Sequence, residues 1–226
     1  MTKESSACSA SLAVFGAFMS YSVLLLCTGA CTVSAESVSN ATTPKVKVGV
    51  FYESLCPYSR NFVVNQLYPT WRSLSQIMTV DLNAYGKSHI TTEGDVYPIK
   101  CQHGPAECQG NKLLTCAKKY VEADDDFIAF SHCVMDEYTA LKAGPGCANR
   151  IGIDYTVLDA CVQNGEGDRL LYDLSLKQSA LLPPLNHVPW ILIDDVYTSV
   201  MNYESEKNLR QVVCNAYKGP TPSECL

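Results

Sequence analysis

The odd number of cysteines that remains once an apparent export signal is set aside restricts what this protein can become more than any other feature. There are 12 cysteines in 226 residues. Leu12 to Cys27 is almost wholly apolar, broken only by Ser20 and Ser22. That run is short for a bilayer crossing, which needs about twenty residues. Lys3 precedes it, and small residues follow it up to Val33-Ser34-Ala35. Residues 1–35 therefore read as a cleavable secretory signal cut after Ala35, with Ala30 as the second choice and an uncleaved anchor as the competing reading. Cleavage removes Cys8, Cys27 and Cys31, and 12 minus 3 leaves nine: Cys56, Cys101, Cys108, Cys116, Cys133, Cys147, Cys161, Cys214 and Cys225. A secretory compartment favours disulfides, and an odd count leaves at least one thiol without an intramolecular partner. Cys56 stands apart from the other eight, so the expectation is disulfides among those eight, with pairing unreadable from spacing, and a free thiol at Cys56. Cys225 is the weakest member of the paired set, because Gly219-Pro220-Thr221-Pro222 can leave the tail mobile.

The rest of the composition narrows the function classes. A formal charge of −6 and the absence of any Lys/Arg run beyond Lys118-Lys119 argue against nucleic-acid binding. After signal cleavage no membrane segment is expected, which places the chain in the secretory pathway, secreted or in an endolysosomal lumen. Residues 36–45 read as a flexible leader whose sequon Asn40-Ala41-Thr42 is expected to carry a glycan at Asn40. The group Cys101, His103, Cys108 and Cys116 lacks the C-x2-4-C spacing of structural zinc sites, so no metal is expected there.

Periodicity divides residues 46–217 into a framework and an insertion, ahead of a tail at 218–226. Val46 to Tyr52 alternates as a strand, Ser59 to Leu74 has helical spacing that Pro69 should kink or end, and Ile77 to Tyr85 is a second strand. This is a βαβ unit with a parallel pair. From about residue 93 to 182 short helical patterns dominate, at Asn111–Tyr120, Phe127–Leu141, Tyr155–Asn164 and Arg169–Leu182, with Gly144-Pro145-Gly146 as a separator. Asp124-Asp125-Asp126 reads as a solvated helix start. Then Trp190 to Ile193 and Val196 to Tyr203 read as a hairpin, and Glu204 to Tyr217 as a closing helix. The framework order β-α-β, β-β-α is the thioredoxin arrangement: an α/β (α+β) fold whose sheet carries a disulfide-stapled helical insertion.

Two positions in that arrangement point to thiol chemistry. Cys56-Pro57-Tyr58-Ser59 lies at a strand-to-helix junction, where unpaired backbone N–H groups and the positive helix end stabilise a thiolate. A thiolate is the species that attacks disulfide sulfur. Pro57 suits the first helical position. The alternative for Cys56 is an inert buried cysteine. Val188-Pro189 enters the later strand, and a proline there marks an edge or bend. In thioredoxin-like folds this is a cis-proline set against the active thiol. That geometry would offer the Val188 backbone to an extended substrate, with Pro57, Tyr58, Val188 and Pro189 as the binding surface.

Residues 101–116 carry the most specific pattern. They read Cys-Gln-His-Gly-Pro-Ala-Glu-Cys-Gln-Gly-Asn-Lys-Leu-Leu-Thr-Cys, which fits C-Q-H-G-x2-E-C-x2-N-x4-C. This resembles the signature of the gamma-interferon-inducible lysosomal thiol reductase family. The resemblance implies a thioredoxin-like fold and reduction of protein disulfides in an acidic endolysosomal compartment. Its partners would be disulfide-containing or extended protein substrates. No bound cofactor is implied; an external thiol such as cysteine or glutathione would be the reductant. Family members usually carry C-x-x-C, and here the second position is Ser59. A hydroxyl cannot resolve a mixed disulfide, so Cys56 would act alone, with Ser59 as a degenerate resolving position. The same replacement leaves two alternatives: a secreted binding or regulatory protein with little turnover, and a disulfide-linked dimer or mixed disulfide through Cys56. Within the signature, Asn111 is expected to cap the following helix. His103 and Glu107 are expected to form a hydrogen-bonded structural pair, the alternative being a role beside the active thiol.

Overall fold

The computed structural model describes residues 43–94, 96–137 and 139–226. The expected signal at 1–35 and the sequon at Asn40 lie outside the described residues. Strand β1 (Val46–Tyr52) is central. It pairs in parallel with β2 (Met78–Ala84) and antiparallel with β5 (Trp190–Ile193), giving the order β2-β1-β5. Both faces of β1 are covered. Val46, Val48 and Val50 join the main core, while Phe51 packs with Trp190 and Leu192 on the other side.

Helical backbone joins β1 to β2 in three stretches: α1 (Pro57–Phe62), a π-helical turn over Val63–Leu67, and α2 (Tyr68–Leu74). Of the kink or end expected at Pro69, the end does not occur. The turn widens just before it, with the Tyr68 N–H reaching back to the Val63 carbonyl, and this accommodates a residue that lacks an N–H. The parallel β1–β2 pair and its helical crossover are the arrangement the apolar spacing predicts.

Between β2 and β5 the described residues form a small hairpin, β3 (His89–Ile90) with β4 (Ile99–Lys100), and five helices. These are α3 (Pro105–Tyr120), α4 (Asp124–Asp136), α5 (Ala140–Ile151), α6 (Tyr155–Gln163) and α7 (Glu166–Ser179). Disulfides Cys101–Cys108, Cys116–Cys161 and Cys133–Cys147 staple this region, and Cys214–Cys225 pins the tail. Two lysines tie the region to the sheet. Lys118 Nζ donates to Asp81 Oδ1 at 2.6 Å and to the Leu82 carbonyl at 2.7 Å, and Lys177 Nζ donates to Asp81 Oδ2 at 2.6 Å. Burial opposes ionisation of Asp81, but the two ammonium groups outweigh it and hold the carboxyl well below its usual range.

Two local expectations fail for tertiary reasons. Gly144-Pro145-Gly146 does not separate helices, because α5 runs through it. A Cβ on Gly144 would come within 2.6 Å of the Tyr155 ring and 3.0 Å of Leu113, so the glycine marks close helix packing and not a turn. Fully buried Cys147 and Ala148 anchor the same helix in the core. The second strand of the expected hairpin, Val196 to Tyr203, is also absent. After Asp194 and Asp195, both with positive φ, the chain makes one bridge between Ile193 and Val196. It then enters α8 (Ser199–Ala216), five residues before the expected start at Glu204. Thr198 is the reason, since its hydroxyl accepts the Met201 N–H and caps the helix. Asn202 of α8 occupies the place of the missing strand: its Oδ1 accepts the Ile191 N–H at 2.8 Å.

Candidate active site

The antiparallel pairing sets Phe51 opposite Trp190, so the loop leaving β1 and the segment entering β5 lie at one end of the sheet. Cys56 leaves from the first and Pro189 from the second. The Val188-Pro189 peptide is cis, and both residues are buried. Trp190 is fixed behind them, stacked on Tyr197 at 3.5 Å between centroids and met edge-on by His187.

Cys56 is the N-cap residue of α1 and the free cysteine among the described residues. Its carbonyl accepts the Arg60 N–H at 3.0 Å, and Pro57 takes the first helical position. The side chain is only 6% exposed, whereas Tyr58 beside it is 71% exposed. Ser59 is fully buried and its Oγ accepts the Glu53 N–H at 3.3 Å. Beside this helix start lies a groove of about 260 Å³ lined by Pro57, Asn61, Val64, Asn65, Met135 and Asp136. The other sequence-singled cysteines, Cys101, Cys108, Cys116, Cys133, Cys147, Cys161, Cys214 and Cys225, are all in disulfides.

The signature of residues 101–116 builds the wall behind the Cys56 loop. Asn111 does not cap a helix: it lies inside α3, fully buried, and its Oδ1 accepts the Ser54 N–H at 2.9 Å. The Ser54 hydroxyl donates to the Glu107 carbonyl at 3.1 Å. Losing either acceptor would leave a buried donor unpaired, at a cost of about 1–3 kcal/mol. The loop that carries the thiol is thus held by helix α3, which the Cys101–Cys108 and Cys116–Cys161 disulfides anchor.

His103 and Glu107 do form a pair, with Nδ1 and Oε2 2.6 Å apart, and Glu107 Oε1 accepts the His103 N–H at 2.9 Å. The spacing of the signature does not reveal the third member. Glu53, three residues before Cys56, is fully buried, and its Oε2 faces His103 Nδ1 at 3.5 Å. Its Oε1 accepts the Lys87 N–H at 2.5 Å. Gly86 makes the fit possible, because with φ +58° and no Cβ it lets the Glu53 side chain lie where a Cβ would approach to 2.4 Å. The only hint in the sequence was an acidic residue in the loop after a central strand.

Burial first, and then the Glu107 carboxylate, push the Glu53 carboxyl up to about 7. The sign of the consequence follows from linkage. Folded Glu53 keeps a proton that the unfolded chain releases above about 4.5, so its contribution to stability is complete below that pH and is lost as pH rises through about 7. The total over that window is on the order of 3 kcal/mol. Glu53→Gln is expected to flatten this part of the stability–pH curve, read from urea midpoints at pH 4.5, 5.5 and 7 in EDTA. Parallel curves for the two proteins would contradict the assignment.

Comparison with known proteins identifies the family and the fold. A family model described as gamma interferon inducible lysosomal thiol reductase (GILT) matches residues 47–151. A gamma-interferon-inducible lysosomal thiol reductase from Carassius auratus is 36% identical over 200 residues, spanning 86% of this chain and 77% of that protein. A protein of Anopheles gambiae, named as like that reductase, is 32% identical over 219 residues, spanning 91% of this chain and 87% of its own. Among solved structures, the reduced disulfide bond oxidoreductase DsbG of Mycobacterium tuberculosis superposes with a TM-score of 0.52 at 15% identity, over 84% of this chain and 88% of that one. DsbA from the same organism gives 0.51 at 14% identity, over 83% and 91%. At these identities the structural likeness speaks for the fold alone, which is thioredoxin-like.

Proposed function

Because the chain belongs to the gamma-interferon-inducible lysosomal thiol reductase family, a family of thiol oxidoreductases, we propose that it reduces protein disulfides through the single nucleophile Cys56. The observation that carries this reading is the position of Cys56: unbridged, at a helix start, at the sheet end shared with Pro189. The Cys56 thiolate attacks one sulfur of a substrate disulfide. A mixed disulfide forms, and the other substrate sulfur leaves as a thiolate. An external thiol such as cysteine or glutathione then attacks the Cys56 sulfur and releases the first substrate thiol. A second external thiol frees Cys56 and departs as a symmetrical disulfide, so two reductant thiols are oxidised for each substrate bond reduced. Ser59 takes no part in exchange; its hydroxyl braces the loop at the Glu53 N–H.

Pro57, Tyr58 and the backbone of Val188 form the proposed contact surface for an extended polypeptide. The proposed setting is a secreted or endolysosomal lumen, with Asn40 glycosylated after removal of residues 1–35. Four disulfides suit an oxidising secretory compartment, and among the described residues no helix is long and apolar enough to cross a membrane.

Two observations favour a second reading, a binding or regulatory protein with little turnover. Ser59 stands at the resolving position, and Cys56 exposes only 6% of its surface. Insulin-disulfide reduction with added cysteine at pH 4.5 and 7 separates the two. Loss of activity in Cys56→Ser is the expected outcome. Equal rates for the parent protein and Cys56→Ser at both pH values would leave the enzymatic reading without support.

A further inference from the structure

We propose that Glu53, His103 and Glu107 form a binding site for a divalent cation of the zinc class. One donor atom of each lies within 4.8 Å of the others. The 3.5 Å between His103 Nδ1 and Glu53 Oε2 suits two ligands of one tetrahedral ion with bonds of about 2.0–2.1 Å. The 2.6 Å between His103 Nδ1 and Glu107 Oε2 is a hydrogen-bond distance and would open by under about 1 Å as the ion replaces the shared proton. That proton leaves to solvent, as does the proton held by Glu53, since both carboxyl groups must ionise to bind, and the imidazole keeps its Nε2–H.

The carboxylates are arranged as metal ligands usually are, with one oxygen held by the backbone and the other left to point inward. Lys87 N–H holds Glu53 Oε1, and His103 N–H holds Glu107 Oε1. Glu53 Oε2 is left buried with no hydrogen bond. A buried carboxyl of this kind is neutralised by a proton, a cationic side chain or a metal, and an ion would take the place of the proton that Glu53 otherwise keeps. Among the described residues, the only ion pairs recorded for Glu53 and Glu107 are to His103. His103 is itself about one-third exposed, at 32%, and gives an ion a way in. An imidazole with two carboxylates selects zinc-like ions over magnesium or calcium, and it leaves a fourth position for water. A cation here would join the loop before Cys56 to helix α3 without touching the sulfur. The site does not depend on the thiol chemistry proposed above.

Zinc titration by calorimetry tests it, using the mature, disulfide-intact protein stripped with EDTA and alkylated at Cys56 with iodoacetamide. One zinc per chain is expected. Glu53→Gln and His103→Gln should each weaken binding by at least about tenfold. Cobalt added to the metal-free protein with Cys56 left unalkylated should give ligand-field absorption without a thiolate charge-transfer band. No zinc uptake by the alkylated protein, uptake unchanged in both variants, or a thiolate band with cobalt would each overturn the site. The cobalt spectrum does not rely on either variant folding.

Discussion

Ser59→Cys is expected to raise insulin-disulfide reduction by about tenfold or more at millimolar glutathione, because it makes release from the mixed disulfide intramolecular. Well-oriented intramolecular reactions reach effective molarities many orders above millimolar, so even a poorly aligned thiol at position 59 should outrun the external one. The position is favourable, since Ser59 lies one helical turn after Cys56 on the same helix start. There is a structural cost. Ser59 is fully buried and accepts the Glu53 N–H, and sulfur is a weaker acceptor. A stability loss of about 1 kcal/mol is expected beside the gain in rate. If a disulfide forms between positions 56 and 59 yet the rate does not rise, escape from the mixed disulfide is not what limits turnover. The low exposure of Cys56 would then be the constraint to examine.

Removing the Cys116–Cys161 disulfide, as Cys116→Ala with Cys161→Ala, should have the largest effect on stability. The bridge closes a sequence separation of 45 residues and joins α3 to α6. Loop-closure entropy puts the loss at about 4 kcal/mol, against about 2–3 kcal/mol for Cys101–Cys108 with its separation of 7. Both sulfurs of the longer bridge are almost fully buried, so a packing defect adds to the entropic loss. Domains are commonly stable by about 5–15 kcal/mol, so this change alone would remove a large share. Urea unfolding of the two double variants should show the larger drop for Cys116/Cys161. The reverse order would mean that local strain or residual structure in the unfolded chain outweighs loop length.

What the sequence revealed, and where it misled, follows from how local each signal is. The alternating valines of β1, Pro57 at the first helical position and the odd count of cysteines beyond residue 35 depend on near neighbours or on parity, and each is readable. The strand expected over Val196–Tyr203 failed because one cap, the Thr198 hydroxyl on the Met201 N–H, decided the backbone against a β-rich local composition. Gly144-Pro145-Gly146 looked like a break, yet the glycine serves the packing of α5 against Tyr155 and Leu113. The candidate site shows the same division. The element order places Cys56 and Ser59 at the start of α1 and Pro189 at the entry to β5, where the structure has them. Glu53 was missed, and Asn111 was given the wrong task, because their partners lie far away in sequence. Asn111 reaches Ser54 across 57 residues, and Glu53 reaches the Lys87 N–H across 34. No periodicity or spacing rule carries such a contact. The signature of residues 101–116 is better understood as a brace for the thiol loop than as a set of staples alone.

The central claim is that one unbridged sulfur, at Cys56, is the atom that exchanges with foreign disulfides. Incubating the unreduced protein, produced without residues 1–35, with a small peptide disulfide, then digesting it without reduction and mapping the adduct by mass spectrometry, tests this directly. The expected result is one peptide per chain on Cys56, none on Cys56→Ser, and the four intramolecular disulfides left intact. An adduct on any of the other eight cysteines, or Cys56 already joined to one of them, would contradict it.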